Sequence, residues 1–234
     1  MISHTHNFIY FRNAKTASHS ILNSFGKNKV DYSNIGYYEE STLYEGFLKT
    51  YYQHHLNSSI LKREIQSDNF NNYFKFGFVR NPWDKMISLW LYIEDHNFYS
   101  FLSDHTVGIQ ARRNYSFWDK YSGSSMEEYV DLNKLCPTKI SFECFLLYFF
   151  NTDMKVIFES GSSFNKHADF IGKYENLQDD FNFICDKINI PRSKLKFKNK
   201  SKRFKNYKKY YNERTKNLVG DIFYDDIKKF NYIF

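Results

Sequence analysis

Two short apolar runs, Phe8-Ile9-Tyr10-Phe11 and Tyr73 to Val79, set the tightest limit on what this chain can fold into. Both are rich in aromatic residues, and each stops abruptly in a polar turn that leads into a helical pattern. Strand, loop, helix is how a nucleotide-binding α/β unit opens. After the first run, Asn13 to Ala17 read as the loop, Ser18 as the helix N-cap, and Ser20 to Phe25 as helix. The second run is halted by Arg80-Asn81-Pro82. Proline has no N–H for a sheet ladder but suits the first turn of a helix, here expected from Trp83 to about His96.

Elsewhere the patterns are coarser. Residues 41 to 66 read as helical, in two pieces broken near Asn57-Ser58-Ser59. Ser141 to Phe150 reads as a buried helix, Phe170 to Tyr174 as a short strand, Leu177 to Ile188 and Asn212 to Phe230 as helices. No repeat, low-complexity linker or clear boundary interrupts the chain, so one α/β domain over 1–234 is expected, with a central, mostly parallel sheet flanked by helices. Hydrophobic residues make up 42% of the sequence, enough for a real core. No apolar run approaches the ~20 residues that span a bilayer, and no signal peptide is visible, so a cytoplasmic location is expected. Cys136, Cys144 and Cys185 lack metal or disulfide-framework spacing and read as free thiols, with no metal site expected.

Charge is unevenly placed. Arg192 to Lys216 holds twelve Lys or Arg against one acid, Glu213, a local charge of +11 in a chain of net +7, so the remainder carries −4. Such a segment calls for an anionic partner: nucleic acid, a lipid surface or a phosphorylated small molecule.

Two motifs offer anion sites. In the first, Lys15, Thr16, Ala17, Ser18, His19 and Ser20 lie where a strand passes into a helix. Backbone N–H groups and the helix dipole converge there, Lys15 adds a full charge, and Thr16, Ser18 and Ser20 add hydroxyl donors. It is not a kinase-type phosphate loop, Gly-x-x-x-x-Gly-Lys-Ser/Thr. The nearby Gly26-Lys27 has Ile21 at the first Gly position and Asn28 at the last, and no Gly-x-Gly-x-x-Gly occurs. In the second, Arg80 stands at a strand end and Ser88 two turns into the next helix, a guanidinium fork and a hydroxyl that could share one phosphate.

Lys-Thr-Ala-Ser-x-Ser followed by Phe-Val-Arg-Asn-Pro-Trp-Asp-x-x-x-Ser resembles the sulfotransferases, most closely their carbohydrate (family 2) branch. Asp169-Phe170-Ile171-Gly172-Lys173-Tyr174-Glu175-Asn176-Leu177, Asn199-Lys200-Ser201 and the Tyr210 to Phe234 ending extend the likeness, which is weakest over 97–165. The resemblance implies a P-loop-like three-layer sandwich and 3′-phosphoadenylyl sulfate as donor, with adenosine 3′,5′-bisphosphate as product. It implies that Lys15 to Ser20 hold the 5′-phosphosulfate and that Arg80 and Ser88 hold the 3′-phosphate. Lys200, Ser201, Lys202 and Arg203, within a basic loop over 191–209, would cover the nucleotide. Lys15 would offset charge on the leaving group, and 97–165 would line the site of a hydroxyl acceptor, a carbohydrate by this likeness. His55, favoured over His54, is the expected general base. The family's loop often has Gly or a small residue followed by Thr, whereas this chain has Ala17, Ser18 and then His19, and the His is a departure. Two other readings remain, a P-loop-like kinase and a basic nucleic-acid-binding module. The first fails on the phosphate-loop pattern, and the second lacks any nucleic-acid signature.

Overall fold

The first apolar run is buried at all four positions, Phe8 to Phe11, as a strand covered on both faces must be. The computed structural model describes residues 1–33, 57–95, 141–151, 160–196 and 206–234. In chain order they form β1 (Ile2–Ser3), β2 (Phe8–Phe11), α1 (Ser18–Lys27), α2 (Ser58–Glu64), α3 (Ser67–Asn72), β3 (Phe74–Val79), α4 (Pro82–Asp95), α5 (Phe142–Asn151), α6 (Gly161–Phe164), β4 (Phe170–Lys173), α7 (Leu177–Lys187), α8 (Glu213–Ile222) and α9 (Tyr224–Phe230). Short 3-10 turns lie at Tyr174–Asn176 and Tyr207–Tyr210. Two compact units result, Met1–Asn81 with Ile157–Lys200, and Pro82–Val156 with Ser201–Phe234.

The first unit is a mixed four-stranded sheet of order β1-β2-β3-β4. Strands β2, β3 and β4 run parallel and only β1 is antiparallel, in line with the mostly parallel sheet expected. Side chains alternate across a strand, so Phe8, Tyr10, Phe76 and Phe78 line one face. They pack with Ile21 and Phe25 of α1 and with Leu177, Phe181 and Ile184 of α7. Ile9 and Phe11 line the other face, with Leu61 of α2, Phe70 of α3 and Phe164 of α6. Parallel register sets Tyr10 beside Phe76, and their rings stack at 5.0 Å.

Ring size dictates where small residues must stand. A Cβ on Gly172 would come within 2.5 Å of the Phe78 ring and 3.1 Å of Asp180 Cβ. One on Gly77 would meet Asn165 Oδ1 at 1.8 Å. That amide is held in place, its Nδ2 donating to Gly161 O at 2.8 Å.

In the second unit, Trp83 Nε1 donates to Lys216 O at 3.0 Å, and Tyr211 Oη donates to Trp83 O at 2.8 Å. Burial, with Asp84 and Tyr207 nearby, holds the Tyr211 phenol well above its usual range. Phe142 packs edge-on against Tyr211 at 4.9 Å, and Phe150 against Phe223 at 6.1 Å.

Three boundaries differ from expectation. Asn57 is a start, not only a break, since its side chain accepts from the N–H groups of Ser59 and Ile60 and caps α2. Ala17, not Ser18, caps α1. The helix expected over 212–230 divides at Phe223, which is buried against Phe150, and Asp225 and Asp226 form a fresh acidic first turn. Among the described residues, no helix is long and apolar enough to cross a membrane.

Two outcomes are expected from this packing. Gly172→Ala should destabilise the protein by about 1–3 kcal/mol in urea unfolding, the usual cost of overpacking, because Phe78 must shift. Cys185 is fully buried, and burial, then Asp186, pushes its thiol up to about 11. Cys185 should therefore resist iodoacetamide at neutral pH in the native protein and react once urea unfolds it, as read by peptide mass spectrometry.

Candidate functional site

The chain leaves β2 at Phe11 and doubles back at once, Asn13 N–H bonding to Phe11 O at 3.0 Å. Fully buried Thr16 then turns its Oγ1 onto Asn13 O at 2.8 Å. Two residues of this turn, Lys15 at φ 59° and Ala17 at φ 66°, occupy the left-handed region without being glycine. That conformation costs an L-residue roughly 1–2 kcal/mol, so it persists only where the surroundings enforce it.

Ala17 lends α1 no side-chain cap, and the first turn of α1 holds no acidic residue. The N–H end of the helix dipole is thus left to some other anion. Around it Thr16, Ser18 and Ser20 are buried, Lys15 and Ala17 are half-buried, and His19 is exposed. Asn13 is 1% exposed, yet neither atom of its side-chain amide has a hydrogen-bond partner. A buried amide so placed is suited to a bound ligand or an ordered water. Arg12, also buried, has its pKa lowered by burial, partly countered by Tyr10 and Tyr32.

Arg80 follows the last residue of β3 and is 6% exposed. Its Nη1 donates to Lys15 O at 2.9 Å, so the structure brings the two sequence motifs together. Its guanidinium carbon lies 3.9 Å from the centroid of the Tyr174 ring. The next residue, Asn81, donates its backbone N–H to Glu175 Oε1 at 2.7 Å. Sequence reasoning missed this support. Tyr174 and Glu175 stood out in the family-like segment, but nothing there tied them to Arg80 and Asn81. The parallel register Val79↔Lys173 does. Ser88 lies two turns into α4, half-buried, in the second unit.

The basic segment is fixed at its entry. Gln178 grips it twice, Nε2 donating to Ser193 O at 3.1 Å and Oε1 accepting from Leu195 N–H at 2.9 Å. The Ser24 and Ser193 hydroxyls bond to each other, and Leu195 is buried in the core. His54, His55, Lys200, Ser201, Lys202 and Arg203 lie outside the described residues.

A family model described as the sulfotransferase family matches residues 1–233. No curated protein and no solved structure matches the chain.

The left-handed backbone at Ala17 makes its own test. Ala17→Gly should be at least as stable as the parent protein. Ala17→Val, branched where φ is positive, should lose about 1–2 kcal/mol in urea unfolding.

Proposed function

The chain belongs to the sulfotransferase family, and from that premise we propose that it transfers a sulfuryl group from 3′-phosphoadenylyl sulfate to a hydroxyl of a carbohydrate acceptor. Both units would then be parts of one P-loop-like sulfotransferase domain. The observation that carries the reading is the hydrogen bond from Arg80 to Lys15 O, which joins two cationic motifs 65 residues apart at the carboxyl ends of neighbouring parallel strands. Open α/β sheets bind their ligands at such strand ends.

The residues present fit the donor. The N-terminus of α1, which has no side-chain cap, the buried hydroxyls of Ser18 and Ser20 and the unpartnered Asn13 amide together suit a phosphosulfate, while the Thr16 hydroxyl is spoken for by Asn13 O and shapes the loop instead. Lys15 would offset negative charge as the nucleotide phosphate leaves. Arg80 and Ser88 are assigned to the 3′-phosphate, with Lys200, Ser201, Lys202 and Arg203 covering the nucleotide. His55 is assigned the proton of the acceptor hydroxyl, and 97–165 the lining of the acceptor site. Sulfuryl transfer needs an in-line acceptor and a stabilised leaving group. The residues assigned here supply both without a covalent enzyme intermediate.

Binding and turnover test this reading separately. Adenosine 3′,5′-bisphosphate should raise the melting temperature, whereas ATP and oligonucleotides should not. A kinase would respond to ATP and a nucleic-acid module to oligonucleotides. Arg80→Ala should weaken calorimetric affinity for the bisphosphate roughly tenfold to a hundredfold, the value of a charge-assisted hydrogen bond. Unchanged affinity in the folded variant would remove Arg80 from the site. Lys15→Ala should lower turnover more than donor affinity, and a change confined to the Michaelis constant would make Lys15 a binding residue only.

A further inference from the structure

We propose that Tyr174 is a positioning residue whose ring face holds the Arg80 guanidinium against the carbonyl of Lys15, and so sets the shape of the anion loop. The inference rests on the reading of that loop as the donor site, and deepens it.

The loop between β2 and α1 cannot hold its own shape. Lys15 and Ala17 are both left-handed, and relaxation of either would redirect the backbone N–H groups that follow it. Side-chain bonds to the loop's own carbonyls oppose this. Thr16 fixes the carbonyl of Asn13 from within the loop, and Arg80 fixes the carbonyl of Lys15 from outside it. The second bond is only as good as the placement of Arg80, a long side chain that starts from the end of a strand.

Tyr174 supplies that placement. The face of an aromatic ring is electronegative and attracts a guanidinium lying over it, most strongly where water is excluded. Here the separation is 3.9 Å and Arg80 is 6% exposed. The ring is itself well located. It follows β4 directly, whose Lys173 pairs with Val79 of β3, and the adjacent Glu175 carboxylate accepts the N–H of Asn81. One dipeptide thus holds two consecutive residues, Arg80 by its ring and Asn81 by its carboxylate. When an anionic ligand enters, its charge pulls on Arg80, and the ring keeps the guanidinium in the plane that also serves Lys15.

This role needs the π face and not the phenol oxygen, which sets the test. Full-length protein carrying Tyr174→Phe, Tyr174→Leu or pentafluorophenylalanine at 174 would be compared by calorimetry with adenosine 3′,5′-bisphosphate and by hydrogen exchange of amides 13–18 without ligand. The pentafluoro ring keeps the shape and reverses the sign of the face, so it decides the matter even if Tyr174→Leu fails to fold. Phe should stay within about twofold of the parent in both measurements. Leu and the pentafluoro ring should weaken binding about tenfold and speed loop exchange to a similar degree. Parent-like binding and exchange in the pentafluoro protein would overturn the proposal, as would a Phe variant as impaired as Leu. Should the parent not bind the bisphosphate at all, the donor reading fails, while the exchange rates still decide whether Tyr174 sets the loop.

Discussion

The candidate site depends on a bridge from the end of one strand to the loop after its neighbour, the hydrogen bond from Arg80 to the carbonyl of Lys15. A strand followed by a tight turn into a helix is common; a turn that holds two non-glycine residues left-handed is not. Its energy is repaid by neighbours, and the neighbour that matters most comes from the next strand. Because β2 and β3 are parallel, with Phe11 paired to Gly77, β3 runs two residues past the end of β2 and carries Arg80 up beside the loop. The guanidinium then has only a short gap to close. Sheet register thereby sets the level at which Arg80 meets the carbonyl of Lys15.

That packing follows from an unusual supply of residues. The chain has 25 Phe and 20 Tyr but only 9 Gly. Fully burying one large apolar side chain is worth about 1.5–3 kcal/mol, so a few rings per face suffice to hold a small sheet. The rings also impose exclusions: Phe78 occupies the space a side chain at 172 would need, and Asn165 the space above Gly77. Gly77 and Gly172 stand where an amide and a ring crowd the sheet, and the anion loop from Asn13 to Ala17 has no glycine.

Much of this was legible in the residues. Short apolar, aromatic-rich runs marked β2 and β3, and Pro82 marked the start of α4, because steric rules act locally. Lys15, in the loop after one strand, and Arg80, at the end of another, were readable as two separate anion motifs, but not that they touch. What could not be read was conveyed by contact alone. The capping of α1 by Ala17 contradicts side-chain preference, since Ser18 is the better cap by chemistry. The loop's left-handed path decides against it. The division at Phe223 was hidden because apolar periodicity runs through it, while a buried ring and two acids reset the helix. The support of Arg80 by Tyr174 spans 94 residues of sequence and exists only through strand pairing.

The short stretch from Tyr174 to Gln178 carries more than its length suggests. Tyr174 meets Arg80, Glu175 meets Asn81, and Gln178 fastens the entry to the basic segment. These three side chains project from one 3-10 turn and the start of α7, so their directions are fixed by residue count as much as by identity. Inserting or deleting one residue between Glu175 and Gln178 would turn Gln178 away from the direction it holds relative to Tyr174 and Glu175, so the three attachments could no longer be made together. The length of this stretch is therefore constrained by three attachments jointly, whereas each side chain in it answers to one attachment alone.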